Sequence, residues 1–88
     1  MRRFVFSLVL SMLAGSAVAS PSCTNEPKNK WLSQADMKAR LLERGIIVKV
    51  FKVTPGSCYE IYGRNKAGQR IEIYFNPVTG AIVEEHNS

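Results

Sequence analysis

The sequence predicts an α+β domain: one helix packed on an antiparallel meander of three to four strands, in the order α-β-β-β, stapled by one disulfide. Three observations predict it. A capped stretch of helical periodicity from Ser33 to Gly45 gives way to β-branched runs beginning at Ile46. Three turn signals punctuate those runs: Thr54-Pro55-Gly56-Ser57, Asn65-Lys66-Ala67-Gly68 and Asn76-Pro77-Val78-Thr79-Gly80. Two cysteines, Cys23 and Cys58, form an even pair.

The N-terminal segment is not part of that domain. Arg2 and Arg3 make a positive start, and Phe4 to Leu13 is an apolar run broken only by Ser7 and Ser11. Ala17-Val18-Ala19 then places small residues where signal peptidase reads them. Residues 1–19 are therefore expected to be a cleaved export signal, with cleavage between Ala19 and Ser20. The apolar run is shorter than the roughly 20 residues that span a bilayer, so no membrane span is expected after cleavage. A lipid anchor would need Cys directly after the cleavage point, and Ser20-Pro21-Ser22 stands before Cys23. A periplasmic or secreted location follows.

The full chain carries 12 Lys and Arg against 7 Asp and Glu. Loss of Arg2 and Arg3 leaves ten against seven, a net charge of +3. The basic residues are scattered from Lys28 to Arg70 rather than gathered in a block, so no nucleic-acid partner is expected. In an oxidising compartment the pair Cys23 and Cys58 reads as a disulfide. It closes a loop of about 35 residues, worth roughly 3–4 kcal/mol by chain entropy. A domain near 65 residues has a marginal core and gains from such a staple. With His86 alone near the C-terminus, the cysteines make a poor metal set, and neither metal nor other cofactor is expected.

Residues 20–30 are polar, with Pro21, Pro27, Asn25 and Asn29, and read as an irregular arm held by Cys23. Ser33 is the predicted helix N-cap, with Asp36 three residues on and Leu32 and Met37 spaced as a hydrophobic staple. Gly45 is the predicted stop, so the helix runs from about Gln34 to Arg44. Met37 and Leu41 lie one turn apart, flanked by Ala35 and Leu42, and this stripe is assigned to the core.

Three strands follow. The first, Ile46–Val53, ends at a turn with Pro and Gly in type II order. The second runs from Cys58 to Arg64 and the third from Gln69 to Phe75. Ala81-Ile82-Val83 can make a short last strand, and the polar tail 84–88 is expected to fray. The middle turn sets a register. Asn65 opening a type I turn, with Gly68 left-handed, is the three-residue hairpin with a bulge. Asn65 then faces Gln69, Gly63 faces Ile71, Ile61 faces Ile73 and Tyr59 faces Phe75. Every apolar residue falls on one face, toward the helix. Glu60 opposite Tyr74, and Tyr62 opposite Glu72, fall on the other. A one-residue slip would pair Ile with Glu. Cys58 is placed on the outer face or edge, reachable from solvent. The first strand is ambiguous: Ile46, Val48 and Val50 alternate on one face, Phe51 and Val53 on the other. Either a bulge sits near Lys49-Val50, or one face leaves apolar residues exposed.

The residues from Cys23 to Val83 resemble the small exported PepSY-domain proteins of bacteria. The resemblance is carried by Lys30-Trp31-Leu32-Ser33-Gln34-Ala35-Asp36-Met37, Leu41 to Gly45, Gly56-Ser57-Cys58-Tyr59-Glu60-Ile61-Tyr62 and the Lys66-Ala67-Gly68 turn. Its best part is Ile71-Glu72-Ile73-Tyr74-Phe75-Asn76-Pro77-Val78-Thr79-Gly80, similar to a strand and D/N-P-x-T-G turn of the family. Asn76 stands where Asp is commoner, and either side chain can hold an Asx-type turn. The resemblance implies a helix on an antiparallel sheet over residues 31–88. It also implies a non-enzymatic role: restraining a peptidase, or serving as an accessory to an envelope sensor or membrane cytochrome.

The residues themselves show no catalytic constellation. The single His86 is near the chain end, and Glu60 and Glu72 read as solubilising cross-strand charges beside Tyr62 and Tyr74. Trp31 reads as a cap on the core. Two functions from different classes stand. One is a protein-binding module whose candidate surface is Glu60, Tyr62, Glu72 and Tyr74, or an edge strand that accepts a peptide. The other is a small-ligand or redox-responsive envelope protein that switches Cys23–Cys58.

Overall fold

Local signals set the helix. The structure, a computed structural model, describes residues 20–88, and the export signal expected over residues 1–19 lies outside them. Helix α1 spans Gln34–Glu43. Ser33 caps it, its Oγ accepting from the Asp36 amide at 3.0 Å. At the other end Gly45 takes a φ of +78°. Its amide donates to Leu42 O and that of Ile46 to Leu41 O, at 2.9 and 3.0 Å. This Schellman closure brings Ile46 onto Leu41, and both are buried. Lys28–Lys30, inside the arm expected to be irregular, forms one short 3-10 turn.

Four antiparallel strands follow in the spatial order β1-β2-β3-β4: β1 (Ile47–Val53), β2 (Tyr59–Arg64), β3 (Arg70–Phe75) and β4 (Ile82–Asn87). The predicted β2–β3 register holds at every pair: Tyr59 with Phe75, Glu60 with Tyr74, Ile61 with Ile73, Tyr62 with Glu72 and Gly63 with Ile71. Asn65 Oδ1 accepts from the Ala67 and Gln69 amides, both at 3.0 Å, and Gly68 is left-handed at φ +81°. One face of the sheet meets α1. Met37, Leu41, Ile46, Tyr59, Ile61, Ile71, Ile73 and Phe75 form the core, with Trp31, Leu32, Val48 and Phe51 packed against it. Trp31 caps this core as expected, edge-on to Tyr59 with ring centroids 5.4 Å apart.

Four expectations are corrected. The first turn is not type II. Gly56 is not left-handed; Ser57 is, at φ 61°, and the Ser57 amide donates to Thr54 O. The turn thus repeats the Asn65–Gly68 design, with Ser in the left-handed position. Gly56 serves close approach instead, since a Cβ there would stand 2.3 Å from Pro21 O. Cys58 is not at a solvent-facing edge but fully buried, because the arm folds across it. Leu42 is not core but 73% exposed, since it stands about 100° around the helix from Leu41. The tail does not fray. β4 continues to Asn87, pairing Glu84 with Tyr74 and His86 with Glu72, and the Ser88 amide donates to Arg70 O at 3.0 Å. An edge strand needs only one row of backbone partners and no apolar face, so polarity did not end it.

The ambiguity in β1 resolves as a bulge that still leaves apolar residues exposed. The pairing with β2 shifts between Val48 and Val50, leaving Lys49 as the extra residue. The phase change lets Val48 and Phe51, three residues apart, both reach the core side. Ile47 and Val50 remain on the outside, at 57% and 44% exposure. Opposite the bulge stands Gly63, where a Cβ would lie 2.1 Å from Ile47 O. The close approach of β1 therefore requires a residue without a side chain.

Gly63→Ala is expected to destabilise by about 2–3 kcal/mol through this backbone clash. Gly68→Ala, which meets nothing within 4 Å but keeps a left-handed φ, is expected to cost about 1 kcal/mol. Urea denaturation of both variants checks the order; a smaller loss for Gly63→Ala than for Gly68→Ala removes the close-approach argument.

Candidate functional site

Two surfaces carry chemistry: the outer face of the sheet, and a groove between α1 and the free edge of β1.

The outer face brings together the four residues singled out in the sequence. Glu60 pairs with Tyr74 and Tyr62 with Glu72. The surface is less open than expected. Glu60 and Tyr74 are buried, Glu72 is half-buried, and Tyr62 is exposed. Glu60 is thus not a solubilising charge. The Tyr74 hydroxyl donates to Glu72 Oε2 at 3.0 Å. Burial is the main cause that pushes the Tyr74 phenol up to about 12, opposed in part by a hydrogen bond with Ser20 of the arm. Tyr62 is raised further, first by hydrogen bonding to Glu60 and then to Glu72. Glu72 is held below its ordinary value. The hydrogen bond with Glu60 is the largest cause, Tyr62, Tyr74 and the His86 charge act in the same direction, and burial opposes them. His86, which sequence reasoning set aside as part of a frayed tail, sits opposite Glu72, with Nε2 2.6 Å from Glu84 Oε2. Among the described residues no group of three His, Cys, Asp or Glu is placed to hold a metal.

The arm reaches this face through the disulfide. Cys23 and Cys58 are bonded, with Cα atoms 5.1 Å apart. The Cys23 amide donates to Gly56 O at 3.0 Å, and Asn76 Nδ2 donates to Cys23 O at 3.2 Å. Pro21 O packs 3.3 Å from the Cys58 sulfur. Further along, the Leu32 amide donates to Pro77 O and the Tyr59 hydroxyl to Leu32 O, at 2.8 and 2.6 Å. Asn76 thus holds two segments: its Oδ1 accepts from the Val78 amide at 2.8 Å, closing the Asn76–Gly80 turn, while its Nδ2 holds the arm. Only the first role is legible in the local sequence. With Cys58 buried and backbone bonds on both sides of Cys23, the bridge has the surroundings of a structural staple.

The groove was only partly foreseen. It has a volume of about 540 Å³ and is lined by Lys38 and Leu42 of α1, Ile46, and Ile47, Val48, Lys49 and Phe51 of β1. Lys38 Nζ lies 5.3 Å from the centre of the Phe51 ring. Leu42 and Ile47 expose apolar surface along it, and Val50, paired with Tyr62, exposes more on the outer face of β1. One signal in the sequence was readable: Leu42 lies four residues from Lys38, on the helix stripe next to the core stripe.

A family model described as "peptidase propeptide and YPEB domain" matches residues 3–86 of the 88. The chain belongs to this PepSY family. The match extends on the N-terminal side of Cys23, where the resemblance read from the sequence began. Domains of the family are generally propeptide or regulatory modules rather than catalytic ones. Comparison with curated proteins and with solved structures found no match. Among the described residues no helix is long and apolar enough to cross a membrane.

The chain's three tyrosines, Tyr59, Tyr62 and Tyr74, all have phenols raised above 10, Tyr59 by burial. The native state therefore holds protons that the unfolded state has released. Stability is full below pH 10 and falls as pH rises from there toward 12. An absorbance titration of the folded protein is expected to show no phenolate step centred near 10. One full-amplitude step at that pH, with the fold intact by circular dichroism, would contradict the assignment. For the staple, replacing Cys23 and Cys58 together by Ala is expected to cost about 3–4 kcal/mol in urea.

Proposed function

We propose that this protein is an exported, non-enzymatic binding module of the cell envelope that engages another protein through the β1 edge and the adjoining groove. Restraint of a peptidase is the form of that role which the family description favours; an envelope sensor or membrane cytochrome is the other kind of partner that the resemblance implies. One observation carries the reading. Ile47 and Val50 put apolar surface in water on an edge strand whose outer backbone row has no partner among the described residues, and Leu42 of α1 does so beside it. Exposed apolar surface joined to an open strand edge is the arrangement by which domains add a partner segment. The face formed by Glu60, Tyr62, Glu72 and Tyr74 supports the reading less, because burial leaves only Tyr62 and part of Glu72 to touch a partner. An exported location agrees with the disulfide.

The test is in vivo crosslinking of a C-terminally tagged chain in its host, with identification of what co-purifies from the envelope. One specific partner is expected. If it is a peptidase, stoichiometric addition of the protein lowers its turnover. Val50→Asp is expected to weaken the interaction tenfold or more, by about 1.4 kcal/mol or more, while changing unfolding by only about 0.5 kcal/mol, as for a surface site. Correctly folded protein that captures nothing above background defeats the reading.

A further inference from the structure

We infer that the occupant of the α1–β1 groove is an extended, acidic and apolar segment of the partner, added as a fifth strand along the free edge of β1; the inference rests on the binding-module reading above. Shape supplies the first half of the argument. In the order β1-β2-β3-β4, β1 is paired on one side only. A strand laid along its other side would turn alternate residues toward the groove, where Leu42, Ile46 and Phe51 offer an apolar floor.

Charge supplies the second half. The ionisable residues lining the groove, Lys38 and Lys49, are both cations, and β1 carries Lys52 and no acid. The acids of α1 point elsewhere: at 100° per residue, Asp36 and Glu43 stand about 160° and 140° around the helix from Lys38. Among the described residues none of these three lysines has a carboxylate within ion-pair distance; the one such pair joins His86 and Glu84. Lys38 and Lys52 instead lie over aromatic rings, Phe51 at 5.3 Å and Tyr62 at 5.4 Å. Lys52 stands opposite Glu60 on the outer face, so a segment with Glu or Asp between its apolar residues pairs with Lys38 and Lys49, and a basic segment is repelled.

The same charges decide against a second copy pairing β1 to β1, which would set like charges side by side. β4 of another copy, with Glu84 and Glu85, has the complementary sign. However, Glu84 is already engaged by His86, and such a head-to-tail contact builds a ring or a filament rather than a two-fold pair.

The experiment titrates isotope-labelled protein with a blocked peptide of about eight residues alternating Glu and Val, and with its Lys-Val counterpart. Saturable amide shifts confined to β1 and α1 are expected from the acidic peptide, weakening as salt rises. The Lys38→Glu, Lys49→Glu double variant is expected to lose about tenfold in affinity. Absent β1 shifts, or equal shifts from the basic peptide, overturn the inference. So do concentration-dependent shifts of both β1 and β4 without peptide, which assign the groove to a second copy. Photocrosslinkers placed at Leu42 and at Tyr62 separate this inference from the reading beneath it. A partner captured at Leu42 through an acidic extended segment supports both. A partner captured at Leu42 through a folded or basic surface overturns the inference and leaves the groove-binding reading standing, and capture only at Tyr62 overturns both. Capture at neither position overturns both.

Discussion

The extra residue at Lys49 is the constraint from which the rest of the architecture follows. Without it, a regular strand would send Val48 and Phe51 to opposite faces, because side chains alternate with a period of two. With it, both pack against the core under α1. The partner strand has to yield space for the bulge, and Gly63 yields it by having no side chain where Ile47 O passes. Ile47 and Val50 are the residues left over on the outer side. The apolar strip on the β1 edge is therefore a geometric consequence of how this strand serves the core. The groove between α1 and β1 is lined in part by the same residues.

The second organising feature is the arm. A chain this short has little core to hold a polar N-terminal segment in place. The sequence supplies a covalent tie at Cys23 and polar ties on either side, from Gly56 O and Asn76 Nδ2. These ties explain two residue choices with no local cause. Gly56 is needed because Pro21 crosses it, and Asn76 does work that Asp could not, since its amide donates to Cys23 O. Burial of Glu60 and Tyr74 makes the outer face a packed polar layer rather than an open one.

What could be read from the sequence was local or periodic. The Ser33 cap, the Gly45 stop and the Asn65–Gly68 hairpin each depend on a few neighbouring residues, and the β2–β3 register follows because a slip would pair Ile with Glu. What could not be read depended on distant segments meeting. Nothing near Cys58 announces that Pro21 will cover it. Nothing in 84–88 reveals that β3 will present a free row of backbone partners. An apolar residue flanking a stripe usually belongs to it, which places Leu42 in the core on sequence grounds; only the position of β1 decides that the stripe ends at Leu41. For β1 the sequence contained the bulge and the exposure as rival readings. Both hold, since a bulge corrects the phase of a strand without reducing its number of apolar residues.

The two sheet edges are chemically unlike, and that difference bears on what the domain can bind. β4 is acidic through Glu84 and Glu85, and pairs its one histidine internally. β1 is basic and apolar, and lies beside a groove. Lysines and a bulge on an edge strand are familiar devices against uncontrolled sheet growth, and Lys49 and Lys52 serve that purpose. Protection alone, however, does not account for Leu42, which belongs to no strand and gains nothing from exposure. A surface evolved only to discourage pairing would place polar residues at Leu42 and Val50. Apolar residues there, with cations around them, are the chemistry on which the proposed binding edge rests.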